Sequence, residues 1–397
     1  MDGKFERIAR ANRVFTPGYP VQQKDLFSGR AQQLDRTIES LMAPGRHPVI
    51  FGQRGVGKTS LANILGQALQ KLICVKVSCD GSDTFATIWN RVFYTASVSF
   101  KQQTLGFISN ESTKSVTLAD ALGHDPNTAK PAEIADLLRR IGGYCVVILD
   151  EFDKVADAQT KSAFADLIKI VSDTAERVTI VLVGVAENIH ELIGEHPSID
   201  RNLVQIELPL MSDQEIRGIF ETGMGKLGLS VDASVVSQIP ALAEGFPHYA
   251  HLLGICSAKA CAENEETQLT PSLFDIACNL AVEDAIEKYR EAYAKATSTT
   301  QSSRYPQILT ACGYARTDGR GVFRATDVAD AIREVFEEDV SIQAVVPALG
   351  EFLKERRAAV LKAVPVGGRQ CYRFKDPMMR PFCRLKARDL LLARRSA

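Results

Sequence analysis

Eight consecutive residues, Gly52-Gln53-Arg54-Gly55-Val56-Gly57-Lys58-Thr59, combine three glycines with a lysine and a hydroxyl. That spacing suits the wrapping of a polyphosphate. Glycines let a backbone curl round an anion with its N–H groups pointing inward. The lysine can reach the outer phosphates, and the hydroxyl can join the shell of a magnesium ion. Val49-Ile50-Phe51 reads as a strand entering the loop, and the spacing predicts a helix from Lys58, through Ser60 and onward. The positive end of that helix would then face the phosphates.

A second group lies about 90 residues on. Val146-Val147-Ile148-Leu149 makes a buried strand, and Asp150 and Glu151 stand at its C-terminal end. Ligands bind at that edge of parallel sheets. Asp150 can hold the metal shell beside Thr59, and Glu151 can polarise an attacking water as general base. Alone, the pair could be no more than a solvated acidic turn. With the glycine loop it points to ATP and Mg2+ as cofactors, Thr59 and Asp150 as metal residues, and hydrolysis as the reaction.

Several elements must position these groups. Pro48–Phe51, Ile73–Ser78, Tyr144–Leu149, Val178–Val185 and Val204–Leu208 have strand character. Between them are segments long enough for helices, such as the one carrying Leu61, Ile64, Leu65, Ala68, Leu69 and Leu72. Strands alternating with helices imply an α/β fold with a parallel sheet covered on both faces. Residues 1–25, with Pro17, Gly18 and Pro20, are expected to be an irregular lead-in, and Phe100–Lys130 a long loop. Beyond Pro209 the pattern turns helical, with Ser212-Asp213-x-Glu215 as a helix start. Ala296–Ser303 reads as a polar linker. The expected domains are therefore a core over 1–210, a helical domain over 211–298 and a C-terminal domain over 304–392.

Composition narrows the class. At 397 residues the chain is too long for one ordinary domain, and a net charge of -1 gives no whole-molecule attraction to nucleic acid. No apolar run is long enough to span a bilayer and no signal peptide is evident, so a cytoplasmic location is expected. The nine cysteines show no Cys-x-x-Cys spacing and are expected to be buried thiols.

Together these residues resemble the AAA+ superfamily and, within it, the origin-recognition-like prokaryotic ATPases. The resemblance covers most of the chain. It implies that Leu26-Phe27-Ser28-Gly29-Arg30 lines the adenine pocket, and no guanine-reading Asn-Lys-x-Asp element is present. It implies a sensor residue after Val178–Val185, where Asn188 is the nearest polar candidate. Arg201, after Glu195-His196-Pro197-Ser198-Ile199-Asp200, resembles a finger donated to a neighbouring subunit, which implies an oligomer; the bland alternative is a surface ion pair. His196 reads as a local hydrogen-bonding residue. Gly245-Phe246-Pro247-His248 resembles a second sensor that usually ends in arginine. Here His248 either touches phosphate more weakly or simply follows a Gly-x-Pro turn.

The resemblance also implies a C-terminal winged helix. Helices are expected at Tyr305–Tyr314, Thr326–Phe336 and Ile342–Glu355, then a hairpin of Val360–Val364 and Gln370–Phe374 about Gly367-Gly368. From Glu351 to Ala397 thirteen Lys or Arg face four acids, an excess of nine positive charges. Lys354, Arg356 and Arg357 would end the reading helix and Arg369 would sit on the wing, which suits duplex DNA without base-specific readout. The alternative is a signalling or defence-associated switch on a protein partner, with the basic segment a solvated or docking face.

Overall fold

The structure, a computed structural model, describes residues 2–21, 29–69, 72–103, 111–125, 130–186, 189–194, 199–299 and 303–395. Contacts divide the chain into two units, Pro20–Pro209 and Met1–Tyr19 with Leu210–Ala397.

In the first unit, strands β1 (His47–Gly52) and β2 (Ile73–Ser78) are followed by a hairpin of β3 (Ser97–Gln103) and β4 (Glu111–Thr117). Then come β5 (Cys145–Asp150), β6 (Val178–Val185) and β7 (Leu203–Glu207). Five of these form one parallel sheet in the order β2-β5-β6-β1-β7. The five expected strands are therefore its members. Every residue of β1 and β5 is buried, as expected of apolar runs covered on both faces. Alternation along the strands divides the packing. Ile50, Val146 and Ile148 meet Leu61 and Leu65 of the helix Lys58–Ala68 and Leu34 and Leu41 of the helix Ala31–Leu41. Val49 and Val147 join Trp89, Phe93 and Phe164 on the opposite face.

The stretch 100–130 departs from the expected loop, since its described part includes the β3–β4 hairpin and a short helix, Leu118–Leu122. Lys101, Gln102, Gln103, Glu111, Ser112 and Thr113 give the hairpin almost no apolar alternation, so the period-two signal is missing. Its residues 104–110 and 126–129 lie outside the described residues.

The second unit begins with a helix, Asp2–Val14, where an irregular lead-in was expected. Tertiary packing overrides the weak local pattern. Ala11 and Phe15 are fully buried, and the Phe15 ring lies over Gly223 and Gly254, where a Cβ would stand 2.3 Å from ring atoms. The helices Asp213–Lys226, Ala233–Ala243, Pro247–Glu263, Pro271–Glu283 and Glu287–Thr297 follow. The Ser212–Glu215 start is a capping box, with Ser212 N donating to Glu215 Oε2 at 2.9 Å. Among these helices β8 (Ser230–Val231) pairs in parallel with β9 (Gln268–Leu269), and helices Tyr305–Tyr314, Ala325–Phe336 and Ile342–Phe352 then lead to an antiparallel hairpin of β10 (Leu361–Val366) and β11 (Arg369–Phe374). Phe323, just before the helix Ala325–Phe336, bridges Tyr372 of that hairpin, and the order is three helices and then the hairpin. The expected division near residue 300 does not separate two cores. One apolar cluster runs from Phe15 and Phe220 through Leu309 and Phe352 to Phe382. Residues 300–302 of the expected linker lie outside the described residues.

All nine cysteines are free, with eight buried and Cys74 half-buried. Among the described residues no helix is long and apolar enough to cross a membrane.

Candidate nucleotide site

The loop after β1 is held by backbone geometry only glycine adopts easily. Gly52, Gly55 and Gly57 have φ of 150°, 84° and 96°. A Cβ on Gly52 would stand 2.4 Å from Leu208 O, so the loop passes too close to its neighbour for a side chain. Val56 is fully buried and anchors the loop, whereas Arg54 is exposed. The helix starts at Lys58 as expected, with Gly57 left-handed at its cap. Gln53, Gly55 and Thr59 are half-buried. Ser60 Oγ accepts from Val21 N at 3.1 Å and so ties the approaching chain to this helix.

Lys58 is buried, and its ammonium donates to Gly52 O at 3.0 Å and Gln53 O at 2.9 Å. Burial pulls its pKa down to about 8, against the opposing pull of Asp153 and Asp150. The lysine therefore sits inside the loop that a phosphate would occupy, with carbonyls as stand-ins for phosphate oxygens.

Asp150, at the end of β5, is 2% exposed. Its Oδ1 accepts from Glu151 N at 2.9 Å and from Thr59 Oγ1 at 3.4 Å. Its Oδ2 is buried without a hydrogen-bond donor, although Lys76 Nζ lies 2.9 Å away as an ion-pair partner. A buried carboxylate oxygen without a donor, beside a threonine hydroxyl, is a donor set that fits a hydrated magnesium ion. Glu151 has a left-handed backbone, φ 57°, and an exposed side chain whose Oε2 accepts from Lys154 Nζ at 2.8 Å. That hydrogen bond is the leading cause of a raised Lys154 pKa. Exposed pairs of this kind are worth about 0–1 kcal/mol, so Glu151 is free to turn to a water.

Two contributors go beyond the motif reading, Arg30, expected only at the adenine pocket, and Lys76. Arg30 is buried with φ 60°, and its guanidinium reaches Val56 O at 3.4 Å and also Pro209 O, which clamps the loop to the chain leaving β7. Leu26, Phe27 and Ser28, expected with it at the adenine pocket, lie outside the described residues. Lys76 is the other. A lysine in the apolar run Ile73-Cys74-Val75-Lys76-Val77 was the available signal, because such a charge needs a partner. Asp153, two residues past Glu151, accepts from Val185 N at 2.8 Å and fastens the end of β6. The sensor candidate Asn188 lies outside the described residues, as does 195–198 with His196.

Arg201 stands in a short 3-10 turn, Asp200–Asn202, and is exposed. Its carbonyl accepts from Arg46 Nη1 at 2.8 Å, while its guanidinium makes no hydrogen bond or ion pair among the described residues. The surface ion pair weighed as its alternative is thus not seen there.

His248 belongs to the second unit, on the first turn of Pro247–Glu263 after left-handed Gly245. Its Nδ1 donates to Pro17 O at 2.9 Å, and its buried Nε2 has no partner. Burial lowers its pKa, only partly offset by that hydrogen bond. A neutral ring that donates through Nδ1 presents a lone pair at Nε2, which is unsuited to a phosphate oxygen. The Gly-x-Pro turn is the reading this geometry fits.

The basic C-terminal segment is largely committed to its own unit. Arg380 donates to Gly313 O, Thr317 Oγ1 and Ala315 O at 3.0, 2.8 and 2.9 Å and pairs with Glu244. Arg384 donates to Gly313 O and Ala241 O and pairs with the same glutamate. Arg388 meets Asp275 and Gln238. Arg357 donates to Ala296 O and stacks on Tyr305, and Lys354 and Arg356 both bind Glu351. The helix Ile342–Phe352 carries no Lys or Arg, and Ile342 and Val346 are exposed on it. Lys362 and Arg369 are exposed on the hairpin.

Known proteins share sequence and fold with this chain. The family model nSTAND1, described as Novel STAND NTPase 1, matches residues 17–357. An ORC1-type DNA replication protein of Methanocorpusculum labreanum is 22% identical over 368 residues, which are 85% of this chain and 80% of the relative. One from Methanoregula boonei is 24% identical over 306 residues, 73% of this chain and 64% of the relative. A solved structure of a Walker-type ATPase from Pyrococcus abyssi superposes with a TM-score of 0.53 at 17% identity, covering 92% of this chain and 99% of that one. The resemblance to origin-recognition-type ATPases thus extends over most of the chain.

Proposed function

This chain belongs to the Novel STAND NTPase 1 family, and from that premise we propose that it binds Mg-ATP at Gly52–Ser60 and hydrolyses it. The observation that carries the proposal is the hydrogen bond from Thr59 to Asp150 next to the glycine loop that holds Lys58, with the other Asp150 oxygen buried and met only by the Lys76 ammonium, without a directed hydrogen bond. Thr59 and Asp150 are the residues that would hold magnesium, which when bound would supply charge neutralisation for the phosphates. Lys58 turns from the loop carbonyls to the outer phosphates, and Glu151 leaves Lys154 to orient and deprotonate the attacking water. Arg201, exposed and unengaged among the described residues, serves a neighbouring copy's site.

Two outputs compete. Relatives named for DNA replication favour duplex DNA. The surface favours a protein partner. A helix without a cation cannot neutralise phosphates, and the arginines behind it are spent on internal carbonyls and acids. We therefore read the C-terminal unit as the output of a nucleotide-controlled switch that acts on protein. The test is ATP turnover of wild type and Lys58→Ala with and without duplex DNA, at low and moderate salt. Turnover indifferent to DNA, with no salt-sensitive DNA binding, is expected. Strong DNA stimulation that salt weakens would return the assignment to a DNA-associated machine.

A further inference from the structure

Lys76 has no role in the loop or in the attack on phosphate, yet it is the charged group nearest the free side of Asp150. It lies on β2, paired in parallel with β5 so that Ser78 stands opposite Asp150. Side chains two residues apart on a strand share a face, and Lys76 therefore projects on the same side as Ser78. Its ammonium donates to Asn63 Oδ1 at 2.6 Å, on the phosphate-loop helix, and stands 2.9 Å from Asp150 Oδ2. Only a quarter of the lysine side chain is exposed, and Asp150 is almost fully buried. A buried carboxylate without a counter-charge is strongly unfavourable. The contact is ionic rather than a directed hydrogen bond, because Asp150 Oδ2 keeps no donor.

We infer that Lys76 is a built-in stand-in cation that neutralises and positions Asp150 until the metal–nucleotide arrives, and so sets the magnesium concentration the site requires. This rests on Asp150 belonging to the metal shell. Two consequences of opposite sign follow. While metal is absent, Lys76 compensates Asp150 and supports the fold. When metal enters, the ammonium repels a dication at the same carboxylate and weakens its binding. Asn63 keeps the ammonium from swinging away, because its amide oxygen holds the nitrogen from the helix side.

The test uses the full chain with a fluorescent ATP analogue, titrated with magnesium from an EDTA-buffered start. Lys76→Met should lower the magnesium midpoint for analogue binding by roughly tenfold, and Lys76→Arg should leave it near wild type. With the analogue present, Lys76→Met should melt lower than wild type in EDTA and recover when magnesium is added. A merely structural lysine would give a melting loss that magnesium does not restore and an unmoved midpoint, and that result overturns the inference. If Lys76→Met does not fold, Asn63→Ala, which unpins the ammonium, should move the midpoint in the same direction by a smaller factor; no movement overturns the inference equally. Asp150→Asn separates the two levels of the argument. If Asp150→Asn leaves the magnesium dependence of binding unchanged, the metal-shell reading itself fails. If it changes that dependence while Lys76→Met does not, only the role of Lys76 fails.

Discussion

Lys58 and Asp150 in the unit 20–209 and Glu244, Arg380 and Arg384 in the C-terminal unit are all removed from most solvent contact, yet their surroundings differ. Arg380 uses its donors on three backbone or side-chain oxygens and a carboxylate, and Arg384 binds two carbonyls and the same carboxylate. Lys58 is held by two carbonyls of its own loop, and one oxygen of Asp150 is met only by the Lys76 ammonium, without a directed hydrogen bond. Saturated charges form joints, because moving them would strand buried donors. Charges beside the end of parallel strands that are held only by loop carbonyls or by an ionic contact can be turned to something that arrives. The same comparison explains why a count of basic residues misleads. The excess of positive charge beyond Glu351 is real, but much of it holds helices together.

The comparison can be broken first at Lys58. Lys58→Ala should reduce ATP turnover by roughly a thousandfold, measured by phosphate release, with little change in the thermal unfolding of the C-terminal unit. Substitution on the other side should do the reverse. Glu244→Ala leaves two arginines without their shared carboxylate and should cost about 3–5 kcal/mol of stability in that unit. Denaturant midpoints would show it, while affinity for an ATP analogue should stay within about threefold of wild type.

Acid sharpens the comparison, since each unit holds a buried histidine whose pKa is strongly lowered. His47 accepts from Ile180 N at 2.9 Å, and His251 lies beneath Phe15. Burial lowers both pKa values to about 4. The unfolded chain then binds protons that the folded one refuses once pH drops below about 6.5. Stability should be full above that value and decline toward pH 4, by at most about 3 kcal/mol for each histidine. Melting curves from pH 7 to 5 should show both units weakening, and His47→Gln should flatten only the slope of the unit 20–209.

How legible all this was depended on the kind of signal. Loop 52–59 and the end of β5 could be read directly because phosphate binding constrains residue type, spacing and flanking apolar runs together. The five sheet strands were legible for the same reason, since burial on both faces leaves continuous apolar runs. The helix Asp2–Val14 was not, because only a narrow stripe is apolar and its partner lies more than 200 residues away. Nor was the merging of the helical and winged-helix segments into one core, which depends on Arg380, Arg384 and Arg388 meeting oxygens distant in sequence. Lys76 advertised a need for a partner without naming it. The resemblance left His248 open between a weak phosphate contact and a plain Gly-x-Pro turn, and the Pro17 contact shows what its ring engages.

The most direct test of the account compares Mg-ATP binding and turnover in wild type and Glu151→Gln. The carboxylate is exposed and paired only with Lys154 among the described contacts, so the fold and the phosphate loop should be untouched. Affinity for Mg-ATP is expected to hold while turnover falls by at least about a hundredfold, trapping bound ATP. Unchanged turnover in Glu151→Gln would contradict the assignment of the base and, with it, the hydrolytic site described for this chain.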